Sequence, residues 1–451
     1  MTTQNHKPTL QAAIDRAGSP MQLLWHPGVT PWTVPVVQPE FSGWAAEQNA
    51  WRTTVALSDL SFHMSDTVIE GPDAGRLLSE VSANNYESFA IGQAKQFVPV
   101  SYDGNIITDG ILLREGEERF TLTGVPAAQN WVKYHGQTGD YDVEFSTDPD
   151  SSVRRDADPK LFRFQVQGPH ALDLVASAFG GPLPETKFFH STTVRLDGRP
   201  VRALRHGMAG QAGYEFIGDF ADYGFVKEAL LRAGEPLALE QVGGRAYFTN
   251  GVESGWIPTP TPAVYTDERL AAYRQWLPEF GYEGKKPLSG SFYSDDIADY
   301  YLSPWELGYG RSISFNHDFI GKEALRAAKE EVRRTKVTLE LDADDVRRAF
   351  DGDPDYVNDY GRFRIERGGE LVGMTFWTAN IGPVERVLSL SILADSAAEP
   401  GTQVELVYGE HPGHGTPPNA DLGFARIRAT VQVSPYNEYA RTAYRQNADA
   451  V

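Results

Sequence analysis

The sequence predicts an α+β protein in which two related mixed units precede a separate antiparallel β-domain. Two observations carry this. TVIEGPDAGRLLSEV, a strand pattern followed by a Gly-Pro turn and a helix pattern, recurs as FRFQVQGPHALDLVASAFGG, so Gly71-Pro72 and Gly168-Pro169 share both sequence and context. From Lys336 onward short strand patterns dominate: KVTLEL, LVGMTFWT, RVLSLSILA, QVELVYG and ARIRATVQVSP. Gly-, Pro- and Asp-rich turns separate them, which reads as a barrel or sandwich. The 451 residues suffice for two or three domains around a large core, and 41% apolar with 23% charged residues is an ordinary globular balance.

In chain order, residues 10–18 read as a short helix ended by Gly18. Phe41, Trp44, Ala45, Trp51 and Val55 lie near helical spacing, which predicts a helix within 40–58. SFHMSDTVIEGPDAGRLLSEV reads as strand, turn and a helix from about Asp73. FVPVSYDGNIITDGILLREGEERFTLTGV alternates apolar runs with Asp-Gly and Glu-Gly turns, a β-meander pattern, and AAQNWVKYHGQTG returns to helix. After the second strand–Gly-Pro–helix phrase, the charged helix KEALRAAKEEVRRTK marks a boundary near residue 330.

Composition excludes several functions. The net charge of −20 opposes a nucleic-acid or anionic-membrane surface, since both need clustered Lys and Arg. No window approaches the roughly 18 apolar residues of a membrane span. The N-terminus, MTTQNHKPTLQAAIDRAG, lacks an apolar secretion core, so a cytoplasmic location is expected. Cysteine is absent, which removes thiolate zinc, four-Cys iron–sulfur, Rieske and thiolate-haem chemistry as well as disulfides. No His pattern suggests a metal; His411 and His414 fall in the Gly/Pro-rich GEHPGHG, read as a solvated loop. No metal, haem or cluster is expected.

The most informative stretch is RAYFTNGVESGWIPTPTP, Arg245 to Pro262, which places Tyr247, Glu253 and Trp256 within ten residues. Upstream lies the glycine-studded GMAGQAGYEFIG with Glu215. An aromatic face beside a buried carboxylate suits a flat heterocycle with ring N–H donors.

The ordered phrases FRFQVQGPHAL, GYEF, RAYFTNGVESGW, SPWELGYG and HDFIGKEAL, followed by a β-domain with LVGMTFWT, resemble the aminomethyltransferase (glycine-cleavage T-protein) superfamily over nearly the whole chain. PVVQPEFSGW, KQFVPVSYDGNIITDGI, WVKYHGQTGDYDV, LRHGMAG, ESGWIPTPTPAVYT and YRQWLPEF more closely resemble the tetrahydrofolate-dependent aryl O-demethylases of the vanillate/3-O-methylgallate and syringate type. The resemblance implies two interleaved α+β units, 1–68 with 159–248 and 69–158 with 249–330. A C-terminal jelly-roll-like β-barrel follows over 331–451. It implies transfer of an aryl methyl to N5 of tetrahydrofolate, giving a phenol and 5-methyltetrahydrofolate. The expected route is in-line displacement of the aryl oxygen.

By the same resemblance, Glu215, Trp256, Gln165 and Phe188 hold folate. Asp109 lies near the reacting centre, although an Asp-Gly turn is an equally simple reading of it. Tyr247 is the expected catalytic donor, because a phenol O–H can stabilise a departing phenolate. His63 is expected to bind the substrate or move a proton.

The substrate shell departs from the vanillate type. Trp32 and Val34 stand where it has Tyr, Leu60 where it has Gln, Phe62 where it has His and Val125 where it has Arg. All five changes run from polar to apolar, which implies a methoxybenzoate with an apolar or chlorinated ring, such as dicamba. His63, Lys95 and Arg114 are candidates for its carboxylate. The expected partners are an aromatic small molecule and folate, with no nucleic acid or membrane, in a monomer or small homo-oligomer. The alternatives are a syringate- or vanillate-type demethylase, a folate enzyme with a non-aromatic donor, and a non-enzymatic folate-binding protein.

Overall fold

A computed structural model of the chain describes residues 8–34, 36–154, 157–352 and 354–445. The first part contains α1 (Leu10–Ala17), α2 (Pro20–Leu24), α3 (Trp44–Thr53), β1 (Val55–Asp59), β2 (Ser65–Glu70), α4 (Ala74–Glu80), β3 (Ala94–Phe97), β4 (Gly110–Arg114) and β5 (Arg119–Gly124). Next come α5 (Pro126–Thr138), β6 (Glu144–Asp148), β7 (Leu161–Gln167), α6 (Ala171–Phe179), β8 (Ser191–Leu196), β9 (Arg199–Leu204), β10 (Gly213–Asp219), α7 (Tyr223–Gly234), β11 (Leu239–Val242), α8 (Gly244–Tyr247) and α9 (Asn250–Ser254). The C-terminal strands are β12 (Arg334–Leu341), β13 (Asn358–Asp359), β14 (Arg364–Arg367), β15 (Glu370–Ile381), β16 (Arg386–Ala394), β17 (Gln403–Tyr408) and β18 (Ala425–Gln432).

Two sheets carry the repeat. One has the order β11-β1-β7-β10-β9-β8 and the other β3-β4-β5-β2-β6. Taken from β8, the first runs β8-β9-β10-β7-β1, which matches the second strand for strand; β11 adds at its edge, parallel to β1. The Gly-Pro corners agree in detail. Gly71 (φ +142°) and Gly168 (φ +134°) share a conformation that L side chains rarely adopt. A Cβ would lie 2.3 Å from the Asp142 carbonyl oxygen at the first and 2.6 Å from that of Thr54 at the second. The turn therefore needs glycine twice, where the chain leaves one strand and brushes the neighbour's start.

The units interleave because β1 joins the sheet of β7 to β11, whereas β2 opens the other. The boundary expected at 68/69 falls inside β2, and the chain crosses between sheets at 60–64 instead. The N-terminal helices also correct the expected division. α1 and α2 pack on the second unit: the Leu10 N–H donates to Leu277 O (2.9 Å) and the Leu288 N–H to Leu24 O (2.8 Å). Leu10, Ile14, Met21 and Leu24 share a core with Leu77, Trp131 and Tyr273. The helical spacing over 40–58 stops at Thr53. Val55, Ala56 and Leu57 form a strand covered on both faces, and such a continuous apolar run has no period to reveal it.

The C-terminal sheet closes on itself. β15-β14-β17-β18-β12-β16 is a ring sealed by β15–β16 pairing, with β13 paired alongside β15. A six-stranded antiparallel barrel results, and closure leaves no edge within the ring. His411 is not solvated as expected: it is buried, stacked on Tyr293 at 4.7 Å, and its Nδ1 accepts from the Gly413 N–H. Among the described residues no helix is long and apolar enough to cross a membrane.

Candidate active site

Both sheets, the barrel and the segment that follows the barrel border one cavity of about 1000 Å³. That lies at the upper end of small-molecule pockets, with room for two ligands side by side.

One wall is built around Asp109, which immediately precedes β4 and is buried rather than exposed in a turn. Its Oδ2 accepts from Gln96 Nε2 (2.8 Å), Trp256 Nε1 (2.9 Å) and Tyr309 Oη (3.1 Å). Its Oδ1 has no partner among the described residues. Burial pushes the Asp109 carboxyl up while these three donors pull it down. Trp256 follows Gly255, whose positive φ (+72°) ends α9 and turns the indole back over Asp109. The Lys336 ammonium, on β12, fixes that turn by donating to Gly255 O (2.6 Å) and Leu307 O (2.8 Å).

A second wall centres on Glu215 of β10, only 5% exposed. Arg163, on the adjacent β7, donates to its Oε1. The same guanidinium reaches across to Asp66 (3.0 and 3.1 Å) and Thr123 (3.2 Å) of the other sheet. Burial works against the Arg163 charge, but Asp66 and Glu215 outweigh it and hold the guanidinium above its usual range. Among the described residues Glu215 Oε2 takes no protein donor. Open acceptors on Asp109 and Glu215 beside the Trp256 face fit a flat ring that carries N–H donors, which a reduced pterin is.

The third wall is aromatic. Tyr247 ends α8, and among the described residues its hydroxyl donates only toward Met208 Sδ at 3.9 Å, a weak acceptor. Burial, reinforced by Glu215, holds the phenol above its usual range, so it stays protonated. The His63 ring packs edge-on to Tyr247 with centroids 4.2 Å apart. Among the described residues neither His63 nitrogen has a partner, and burial, opposed by Asp59, lowers its pKa to about 4. The imidazole is therefore neutral near pH 7. Trp32 covers this corner, edge-on to Phe248 at 5.8 Å, and Leu60 and Val125 complete the apolar lining.

Four expected positions lie elsewhere. Phe62 turns away, against Phe220 and Tyr223 (6.1 and 6.3 Å). Residues 61–63 form a turn, so its side chain and that of His63 diverge. Val34 is buried but does not line the cavity. Gln165 sits behind the wall, its Oε1 accepting from the Met208 N–H (3.2 Å) and its Nε2 unpartnered among the described residues. Arg114 donates to the carbonyls of Phe89, Gly116 and Glu117. Phe188 and Lys95 do line the cavity, and Phe188 stacks on Phe189 at 4.4 Å. Glu253, the carboxylate nearest Trp256 in sequence, is instead tied to Arg52 at 3.1 Å.

Sequence reasoning missed Arg163, Tyr309 and Gln96. Arg163 had a usable signal: a cation between Phe162 and Phe164 in a covered strand must be paired.

Residues 25–261 match the family described as the GCVT N-terminal domain. The chain is 38% identical over 453 residues to a syringate O-demethylase of Sphingobium sp., covering 97% of each. It is 29% identical over 428 residues to a sesamin methylene transferase of Sinomonas sp., covering 88% of this chain and 89% of that one. It is 27% identical over 376 residues to an aminomethyltransferase of Streptomyces avermitilis, covering 80% and 87%. Among solved structures, the glycine cleavage system aminomethyltransferase T from Bartonella henselae superposes with a TM-score of 0.64 at 18% identity. That match covers 96% of this chain and 99% of that one, a likeness of fold.

Proposed function

The chain belongs to the aminomethyltransferase family, and from that premise we propose that it is a tetrahydrofolate-dependent O-demethylase. It moves the methyl group of an aromatic methyl ether to N5 of tetrahydrofolate and releases a phenol. The observation that carries this is one cavity with two unlike walls: open acceptors at Asp109 and Glu215 beside Trp256, and a neutral donor pair, Tyr247 and His63, in an apolar corner.

Tetrahydrofolate, when bound, supplies the nucleophilic nitrogen. Glu215, Asp109 and Trp256 would hold its ring, and Phe188 lines the same cavity. Tyr247 donates its hydroxyl hydrogen to the ether oxygen, where negative charge grows as the carbon–oxygen bond breaks. Holding the two ligands in register within one cavity would supply much of the remaining acceleration. The proton lost at nitrogen balances the one the phenolate finally takes up.

Leu60, Val125 and Trp32 offer the substrate ring apolar surface and His63 no fixed charge, so the preferred ring carries apolar substituents. A dichlorinated methoxybenzoate such as dicamba is the sharpest probe. The identity to a syringate O-demethylase favours syringate as the second reading. The test incubates protein and tetrahydrofolate with syringate, vanillate, 2-methoxybenzoate and dicamba, and quantifies 5-methyltetrahydrofolate. Faster turnover of the chlorinated ring supports the apolar reading, a preference for syringate replaces it, and no product from any ether sinks the demethylase assignment.

A further inference from the structure

The cavity has a fourth wall that the proposed chemistry does not use, and it is cationic. It forms where the segment after Tyr282 meets the barrel segment that leads into β14. The two are tied by the Arg362 N–H donating to Ser289 O (2.7 Å). Gly290, at φ +105°, permits the contact, since a Cβ there would lie 2.5 Å from the Arg362 carbonyl oxygen. Lys286 and Arg362 line this wall with Tyr282.

Arg362 is 2% exposed. Its Nη1 donates to the carbonyls of Tyr360 (2.7 Å) and Phe376 (3.3 Å), and its guanidinium lies 4.3 Å from the Phe376 ring centre. Among the described residues its Nε has no partner, and neither has the buried Tyr282 hydroxyl. The Lys286 ammonium lies 6.0 Å from the Tyr282 ring centre. Among the described residues neither Lys286 nor Arg362 makes an ion pair with a carboxylate. Asp359, the carboxylate that bears on Arg362, accepts from the Gly361 N–H (2.7 Å), and Glu283 is held by Asn130 (3.1 and 3.2 Å). Burial lowers the Lys286 ammonium to about 7, with Arg362 adding to the effect, and burial lowers Arg362 to about 10. Among the described residues Asp359 is the one carboxylate that acts on Arg362, and it does so without a salt-bridge contact; two cations so weakly compensated out of water are costly, and an anionic ligand lowers that cost.

We propose that Lys286 and Arg362, with the Tyr282 hydroxyl, form a carboxylate-binding subsite of this cavity. The proposal rests on the demethylase reading only for the source of the carboxylate: the substrate's benzoate group, or the glutamyl tail of the folate. In either case it assigns the carboxylate partner that Arg114, turned away, does not provide.

Calorimetric titration of the intact protein tests it with benzoate and p-aminobenzoyl-glutamate, each against its uncharged amide. At least one carboxylate is expected to bind more tightly than its amide. Lys286→Met should weaken that carboxylate about tenfold or more, the loss of one charge-assisted hydrogen bond, and leave the amide unchanged. Benzoate as the sensitive ligand identifies the substrate's group, and p-aminobenzoyl-glutamate the folate tail. Arg362→Lys, which keeps the charge, should retain more affinity than Arg362→Gln. Equal binding of acid and amide, or an equal loss of both in Lys286→Met, overturns the subsite. A charge-selective loss in a protein that makes no 5-methyltetrahydrofolate leaves the subsite standing and removes the demethylase reading.

Discussion

Tyr247 owes its proposed role to what surrounds its hydroxyl. Among the described residues only a thioether lies within reach of this buried phenol, so it has a hydrogen to give. Tyr247→Phe should therefore lower turnover about 100-fold or more while leaving tetrahydrofolate affinity nearly unchanged, as single-turnover kinetics and a binding titration would report. Glu215 has two duties, since it also partners Arg163. Glu215→Ala should cost about 3 kcal/mol or more of stability, because it removes one partner of a buried charge, and chemical denaturation measures this. Glu215→Gln keeps the shape and isolates the loss of folate affinity. His63 carries a pH signature. Its pKa falls from 6.5 to about 4 on folding, so between those values the unfolded chain binds a proton that the folded one refuses. Stability should rise with pH across that window and fall on acidification. Thermal melts of His63→Phe between pH 4 and 7 should show a shallower slope than the parent protein.

At the scale of elements, the wall proposed to hold folate is assembled by parts far apart in sequence. Asp109 precedes β4, Trp256 follows α9, Tyr309 lies in SPWELGYG and Lys336 comes from the barrel. Lys336→Met should free the Gly255 and Leu307 carbonyls and loosen Trp256. The expected result is weaker tetrahydrofolate binding and altered tryptophan emission, with the barrel still folded by circular dichroism. The repeat was legible because the Gly-Pro corner imposes the same backbone demand twice, so Gly71 and Gly168 could not drift. β1 was not legible as a strand, because covering both faces erases alternation. Phe62 and Val34 were placed by position in a phrase, and a phrase does not say which way a side chain turns out of a tight loop.

Across the whole molecule, two repeated sheets and a closed barrel converge on one space, and each contributes charge or aromatic surface to it. The convergence explains why the carboxylates and the Tyr247–Trp256 stretch stood out in sequence while Arg163, Lys286 and Arg362 did not. A basic residue gains meaning only from what it lacks or finds as a partner, and here the partners lie on other elements. Direct transfer between two ligands held in that space is the central claim. It is tested by supplying a methoxybenzoate with a deuterated methyl group together with tetrahydrofolate, and following the label by mass spectrometry. The account predicts that all three deuterons arrive on 5-methyltetrahydrofolate, and that Tyr247→Phe slows their arrival. Label recovered in formaldehyde or methanol, or transfer at the same rate in Tyr247→Phe, would contradict it.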